Sequence, residues 1–216
     1  MDANRKRRTT IRRRLPREQR ERLILSAATR LFLKKGYVAT GVNTIADAAR
    51  VNVGTVYYYF PSKSRLLFEL ISRAAREFLD LTKSIVESGL PPTERLRHVV
   101  DAVINWEVAR GAIIGLGVSE RSHLPPKLRL SYAAQRDEIE MLYLELVGDV
   151  LMEHGMGNTD PKISTRLMLS MLTSITRWYK PDGELTPDAI ASLAYGFITV
   201  GLFGSGSRNG NVLPRT

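Results

Sequence analysis

A chain of 216 residues with 44% hydrophobic content can bury one large core or two smaller ones, and the absence of cysteine excludes a disulfide scaffold and favours a reducing, cytoplasmic setting. Residues 1–65 hold 16 Lys/Arg against 4 Asp/Glu, whereas residues 66–216 hold 16 against 18. This asymmetry predicts a polyanion partner for the first third only. The longest apolar stretch, residues 189–204, is interrupted by polar residues and glycines and is shorter than the roughly 20 residues of a spanning helix, so we expect no membrane segment.

The first third begins with a basic arm and continues with four predicted helices. The runs RKRR (5–8) and RRR (12–14) lack hydrophobic periodicity, so residues 1–16 are predicted to be a flexible arm that binds a polyanion or is only a solvated tail. Apolar residues recur every four positions over residues 17–36, which predicts an amphipathic helix. Shorter helices are predicted at 42–50 and, capped by Asn52, at 53–60; a longer one follows Ser62.

Two short helices separated by a turn predict a helix-turn-helix, whose second helix lies in the DNA major groove. Gly54 allows a close backbone approach, and Thr55 offers a hydroxyl and a methyl group. The three consecutive tyrosines fan around an arc of about 200°, so they cannot all face the core. We expect Tyr57 and Tyr59 to bind phosphates and Tyr58 to reach bases or sugar, although packing against the first helix is the alternative for two of them.

Residues 20–68 resemble the DNA-binding domain of the TetR family of bacterial repressors. The resemblance rests on the patterns A-x-x-L-F, G-Y, I-A-x-x-A, G-T-x-Y-x-x-F-x-x-K and L-L, which occur here in order at the family's spacing. It implies an all-α homodimer with a C-terminal ligand domain, a palindromic operator in double-stranded DNA, and release by a small-molecule effector. By the same resemblance, the DNA contacts fall on Thr55, Tyr57, Tyr58, Tyr59 and Lys63.

The sequence departs from the family pattern at three positions near the predicted DNA surface. Gly41 stands where the family has a capping Thr or Ser that touches phosphate, so that contact passes to Thr40 or Asn43. Arg50 replaces the usual turn glycine, which predicts a left-handed conformation at a cost of about 1–2 kcal/mol and a basic side chain facing the DNA backbone. Val53 replaces a polar residue and offers methyl groups, which favours contact with a thymine methyl.

Residues 66–206 are predicted to form a helical ligand-binding and dimerisation domain after the helix-turn-helix domain of residues 17–65, with a disordered tail at 207–216. Helices are predicted at 91–111, 125–155, 160–179 and 186–204, each with Pro or Asp at its start. The last two have smooth apolar faces, which indicate a four-helix dimer interface or, alternatively, ordinary intrachain core. The predicted interface positions are Ile163, Leu167, Met171, Ile175, Gly201 and Gly204.

The resemblance also implies an effector pocket in this domain. The segment 177–191 is similar to the tail of TetR members that sense fatty acyl or steroid-derived CoA thioesters, so we expect a small apolar-acidic effector such as an acyl-CoA-type thioester. The candidate lining residues are Trp106, Arg110, Ile114, Arg121, His123, Tyr132, Met141 and Tyr143.

Catalysis has little support in the sequence. The three histidines lack metal-ligand spacing, no hydrolase or metalloprotease motif is present, and there is no thiol. We therefore predict no catalytic residues, no metal and no cofactor. Two other function classes remain open: a general polyanion or membrane-surface binder that lacks sequence specificity, and an enzyme housed in the helical body.

Overall fold

The computed structural model describes residues 16–204, so both basic runs of the predicted arm and the predicted tail lie outside the described residues. Residues 16–204 form eight α-helices and no strand, which confirms the predicted all-α fold. They fall into two compact units that divide between Leu66 and Leu67. No helix in this part of the chain combines the length and the apolar character that crossing a membrane requires.

The first unit contains three helices and the first turn of a fourth, and its core lies where they meet. Ile24, Ala28 and Phe32 follow one another at a spacing of four residues along the first helix and are buried, together with Ile45 and Val56. The first helix ends at Gly36, whose positive φ of 80° stops the helical path. The helices are α1 (Arg17–Lys35), α2 (Val42–Ala49), α3 (Val53–Tyr59) and α4 (Lys63–Val86).

The second unit contains the rest of α4 and four more helices. Each of these four begins at a proline, whose fixed φ and missing N–H suit the first turn of a helix. They are α5 (Pro92–Ser119), α6 (Pro126–Glu153), α7 (Pro161–Thr173) and α8 (Pro187–Phe203), and short 3₁₀ turns lie at Arg121–His123 and Ser174–Arg177.

Helix α5 is the centre of the second unit, because it packs against α6, α7 and α8. Its stripe of Leu96, Val100 and Ile104 is buried against α6 residues that include Leu146 and Val147. The buried residues of α5 therefore recur about once per helical turn, and this face of the helix packs against residues that are distant in the sequence.

Two sequence predictions for this unit are wrong. Helix α5 does not stop near Gly111 but continues to Ser119, because glycines at 111 and 117 let neighbouring elements approach rather than ending the helix. Ile175 is not an interface residue, because only 3% of its surface is exposed and it belongs to the intrachain core. Met171 is half-buried and packs against the same core.

The close approach at Gly117 gives a stability prediction. A β-carbon at Gly117 would clash with the hydroxyl of the buried Tyr132, whereas one at Gly115 would meet no atom within 4 Å. We expect Gly117→Ala to destabilise the fold by about 1–3 kcal/mol through overpacking. The matched variant Gly115→Ala should instead stabilise it by up to about 1 kcal/mol, because alanine favours the helix.

Urea unfolding of the two variants beside the wild type measures both effects. Equal loss of stability in the two variants would contradict the close packing of Tyr132 on α5.

Candidate nucleic-acid interface and ligand site

The turn between α2 and α3 is built around a residue in a left-handed conformation. Arg50 has φ 56° and ψ 41° and is the one non-glycine residue with positive φ among residues 16–204, which confirms the sequence prediction. Its amide donates to the carbonyl of Asp47 at 3.0 Å, and the amide of Val51 donates to the carbonyl of Ala46 at 3.0 Å. The Arg50 side chain is exposed and makes no hydrogen bond or ion pair with another described residue.

Asn52 caps α3, as predicted, and in doing so it engages Thr55. The Asn52 Oδ1 accepts the Thr55 amide at 2.7 Å and the Thr55 hydroxyl at 2.8 Å. Because that hydroxyl already donates its one proton, its oxygen is left only as an acceptor. Phosphate oxygens are acceptors too, so Thr55 suits a base amino group better than a phosphate in this arrangement.

The outward side of α3 presents a run of exposed side chains. Tyr58 is 73% exposed, and Val53 and Tyr57 are exposed as well. A β-carbon at Gly54 would make only an ordinary contact, with Asn52 Oδ1 at 3.5 Å. The fold itself therefore does not require glycine at position 54.

Tyr59 differs from Tyr57 and Tyr58 because its ring is half-buried against other side chains of the first unit. Its ring lies 5.2 Å from that of Tyr58 in an edge-on arrangement and 6.4 Å from that of the buried Phe60. The Arg17 guanidinium lies 6.0 Å from the Tyr59 ring. The three tyrosines thus divide into two that face outward and one that is half-buried.

Lys63 does not point outward as a free cation. Its Nζ donates to the carbonyls of Tyr37 at 2.9 Å, Val38 at 3.3 Å and Thr40 at 3.0 Å. It also lies 4.4 Å from the centre of the Tyr37 ring. An ammonium group has three hydrogens, so all of its donors are used by the loop between α1 and α2. We call this arrangement the Lys63 clamp.

The structure separates the two residues predicted to replace the missing phosphate contact at Gly41. Thr40 is only 1% exposed and its hydroxyl donates to the Gly36 carbonyl at 2.7 Å, so the predicted phosphate contact by Thr40 is wrong. Asn43 is exposed in the first turn of α2. Thr44 is exposed beside it, in a first turn that has no side-chain cap.

The predicted effector residues are divided between a cluster of aromatic rings and positions that lie apart from it. Trp106 and Tyr143 meet around Phe78, whose ring lies 5.4 Å from the first and 6.5 Å from the second. Arg110 lies beside Trp106, with its guanidinium 5.6 Å from the ring and 3.5 Å from Glu77.

The other candidates lie apart from this group. Ile114 is half-buried and Tyr132 packs at Gly117, while Arg121 and His123 are exposed on the 3₁₀ turn. Met141 is exposed at a surface cleft of about 250 Å³ between α6 and α7. Among the described residues, no group of three His, Asp or Glu side chains is placed to hold a metal ion.

The sequence interpretation missed Glu107, a charged residue in the core of the second unit. Only 6% of its surface is exposed, and burial raises the pKa of its carboxyl to about 7. Burial and the nearby charge of Glu107 raise the pKa of Tyr143, while its hydrogen bond with Thr82 acts in the opposite direction. A signal was present, because Glu107 continues the stripe of Val100, Val103 and Ile104 on α5 at helical spacing.

Helices α7 and α8 expose large apolar side chains that the described chain does not cover. Of the predicted interface positions, Ile163, Leu167, Gly201 and Gly204 are exposed. The sequence interpretation missed Leu193, Phe197 and Val200, which are also exposed and follow one another along α8 at spacings of four and three residues. We call the exposed set the α7–α8 face; its large apolar members are Ile163, Leu167, Leu193, Phe197 and Val200.

The first unit, with its short second helix, strained turn and outward-facing third helix, is a helix-turn-helix DNA-binding unit. Residues 24–70 match the family model for bacterial regulatory proteins of the tetR family, and residues 89–202 match the model for the tetracyclin repressor-like C-terminal domain. The chain therefore belongs to the TetR family of transcriptional regulators, which are not enzymes.

Individual relatives agree with this assignment over most of the chain. The HTH-type transcriptional repressor KstR2 of Rhodococcus jostii is 25% identical over 181 residues, which cover 83% of this chain and 89% of that protein. The TetR-family regulator PfmR from Thermus thermophilus has a TM-score of 0.73 at 26% identity and covers 86% of this chain and 99% of its own. AibR, solved in complex with isovaleryl coenzyme A and operator DNA, has a TM-score of 0.73 at 28% identity, with coverages of 82% and 97%.

The raised pKa of Glu107 gives a pH-dependent stability prediction. Between the ordinary pKa of 4.5 and about 7, the folded chain holds a proton that the unfolded chain has released, so this group lowers stability as pH rises through that window. We expect Glu107→Gln to match the wild type near pH 4 and to exceed it by about 3 kcal/mol above pH 7.

Denaturant unfolding of both proteins at pH 4 and pH 8 measures the difference. Two stability curves that stay parallel over this range would show that Glu107 titrates normally in the folded chain.

Proposed function

We propose that this chain is a ligand-responsive repressor that binds a palindromic operator as a homodimer, with α3 in the major groove of each half-site. The observation that carries the proposal is the exposed face of α3, where Val53, Tyr57 and Tyr58 surround a glycine that the fold does not require. The excess of basic residues within residues 1–65 supports a polyanion partner for this unit. A partner in operator DNA supports a cytoplasmic location for the protein.

Side chains in and around α3 have different roles in this proposal. Tyr58 and Val53 face base edges, the latter offering its methyl groups to a thymine methyl, while Tyr57 and Asn43 bind phosphate oxygens. Arg50 supplies a phosphate contact because its guanidinium is exposed and unpaired among described residues. Lys63 acts as a positioning residue, because its ammonium is occupied by the clamp.

The α7–α8 face supports the homodimer. Two helices from each subunit would pair their exposed apolar side chains into a four-helix interface. A twofold axis then presents two copies of α3 to half-sites about 34–36 Å apart, or slightly more, which is the spacing of one DNA turn.

An acyl thioester is the effector class that we propose. AibR, which shares the fold at 28% identity, was solved with isovaleryl coenzyme A and operator DNA together. The effector binds within the second unit and favours a conformation in which the two copies of α3 no longer match the half-sites. Linkage requires bound operator to weaken effector binding by the same factor by which the effector weakens operator binding.

Selection of random double-stranded DNA by the purified chain tests the proposal. A palindromic consensus whose half-sites lie one turn apart is the expected result. Recovery of sequences without a consensus, with similar affinity for vesicles of anionic lipid, would instead support the general polyanion binder.

Gly54→Ala separates DNA approach from folding. The added β-carbon fits against Asn52 and favours the helix, so we expect thermal stability to be maintained or raised. The added methyl group would protrude towards the major groove, so the affinity for operator should fall about tenfold or more. Fluorescence anisotropy with the selected operator measures this affinity. Unchanged affinity would mean that α3 does not approach DNA through its N-terminal turn.

A charge placed on the α7–α8 face tests the dimer. Phe197→Asp should give a monomer in sedimentation at micromolar concentration and weaken operator binding, because the charge would be buried in the apolar interface. Leu130→Asp is the matched control. Leu130 is 70% exposed and Phe197 is 71% exposed, but Leu130 lies on α6, outside the α7–α8 face. A dimer that survives Phe197→Asp, or dissociates with Leu130→Asp, would place the interface elsewhere.

A further inference from the structure

The first turn of α1 places an arginine beside the last residue of α3. Arg17 is the first residue of α1, and its guanidinium lies 6.0 Å from the centre of the Tyr59 ring. Tyr59 ends α3, and its ring meets that of Tyr58 edge-on at 5.2 Å. One end of α1 and one end of α3 therefore share a half-buried ring, which is in contact with the outward-facing Tyr58 and close to Arg17.

The position of Arg17 contributes little to the stability of the fold. Its side chain is exposed and makes no hydrogen bond or ion pair with another described residue. A cation in the first turn of a helix opposes the helix dipole, so Arg17 does not stabilise α1. Its separation from the Tyr59 ring is at the outer limit for attraction between a cation and an aromatic face. The guanidinium donors of Arg17 are therefore available to an acceptor outside the described chain.

The length of α3 brings its last residue level with the phosphates of bound DNA. The seven residues of α3 rise about 10 Å along the helix axis. The major groove of B-DNA is about 12 Å wide and about 8.5 Å deep. A helix whose first turn contacts base edges therefore has its last turn beside the sugar-phosphate backbone, whether it crosses the groove or points out of it. Tyr59 occupies that last turn, and Arg17 lies beside Tyr59.

We propose that Arg17 binds a backbone phosphate of the operator and that Tyr59 is the residue that positions it. The planar guanidinium suits a phosphate because it donates two parallel hydrogen bonds. This inference rests on the proposed function, because it takes the orientation of α3 from it. It adds a cation of α1, outside the helix-turn-helix, to the DNA-binding surface. It also gives the half-buried ring of Tyr59 a role in restraining the side chain of Arg17.

The salt dependence of DNA binding tests the contact with Arg17. Arg17→Gln removes one cation and keeps a polar side chain, so the slope of log affinity against log salt should fall by about 0.9, the value for one phosphate. Arg30→Gln is the matched control, because Arg30 is also an exposed arginine of α1 but lies about 20 Å further along the helix. Its slope should equal that of the wild type. An unchanged slope in Arg17→Gln, or an equal decrease in both variants, overturns the proposal.

Two substitutions of Tyr59 test its positioning role. Tyr59→Phe keeps the ring and should leave the slope unchanged, whereas Tyr59→Leu removes the ring and should lower it. Adding Arg17→Gln should then lower the slope less in Tyr59→Leu than in Tyr59→Phe. An equal decrease in the two backgrounds overturns the positioning role. Thermal unfolding checks that each variant is folded, and Tyr59→Met replaces Tyr59→Leu if the leucine variant does not fold.

Two DNA duplexes separate this inference from the proposed function. One is the selected operator and the other is a scrambled duplex of the same length. Phosphate contacts carry no sequence information, so Arg17→Gln should lower the slope with both duplexes. If selection returns no palindromic consensus, the proposed function fails, and the scrambled duplex still decides the role of Arg17. A palindromic consensus together with an unchanged slope in Arg17→Gln supports the proposed function and overturns this inference.

Discussion

The arrangement of the DNA-binding unit depends on the Lys63 clamp. A single ammonium group at the start of α4 binds three carbonyls of the loop between α1 and α2, at 2.9–3.3 Å, and lies against the ring of Tyr37. The loop would otherwise present these carbonyls without side-chain partners, and buried or half-buried carbonyls need donors. The hydroxyl of Thr40 adds a further hydrogen bond to the same loop. Since α2 follows this loop directly, the clamp sets where α2 begins and so where the turn and α3 lie.

Two features of the chain are costly for folding. Arg50 occupies a left-handed conformation that glycine would adopt without the penalty of about 1–2 kcal/mol. Glu107 occupies a core position where its own charge is disfavoured, as the raised pKa shows. Strained backbone and unsatisfied polar groups concentrate at functional sites. In the proposed function, the strained turn presents the Arg50 guanidinium to the DNA backbone.

Features of the fold that depend on neighbouring residues could be predicted from the sequence. Features that depend on packing between distant residues could not. The cap at Asn52 depends on residues only a few positions apart, so local spacing predicted it, whereas the left-handed turn at Arg50 was predicted because the resemblance places the family's turn glycine at that position. The partners of Lys63 lie 23 to 26 residues away along the chain, and no periodicity indicates that its donors are used inside the fold. Ile175 resembles a surface position by helical spacing, but the chain leaves α7 in a 3₁₀ turn that carries it into the core. Glu107 was detectable as a charge within an apolar stripe, yet its lack of a partner required the packed structure.

The salt dependence of operator binding tests the division between contacting and positioning residues most directly. The account predicts that Arg50→Gly, which keeps the turn geometry and removes one cation, lowers the slope of log affinity against log salt by about 0.9, the value for one phosphate contact. Lys63→Met should weaken operator binding and leave the slope unchanged, because this variant loses the clamp but does not lose a phosphate contact. A slope that falls in Lys63→Met and stays constant in Arg50→Gly would contradict the account.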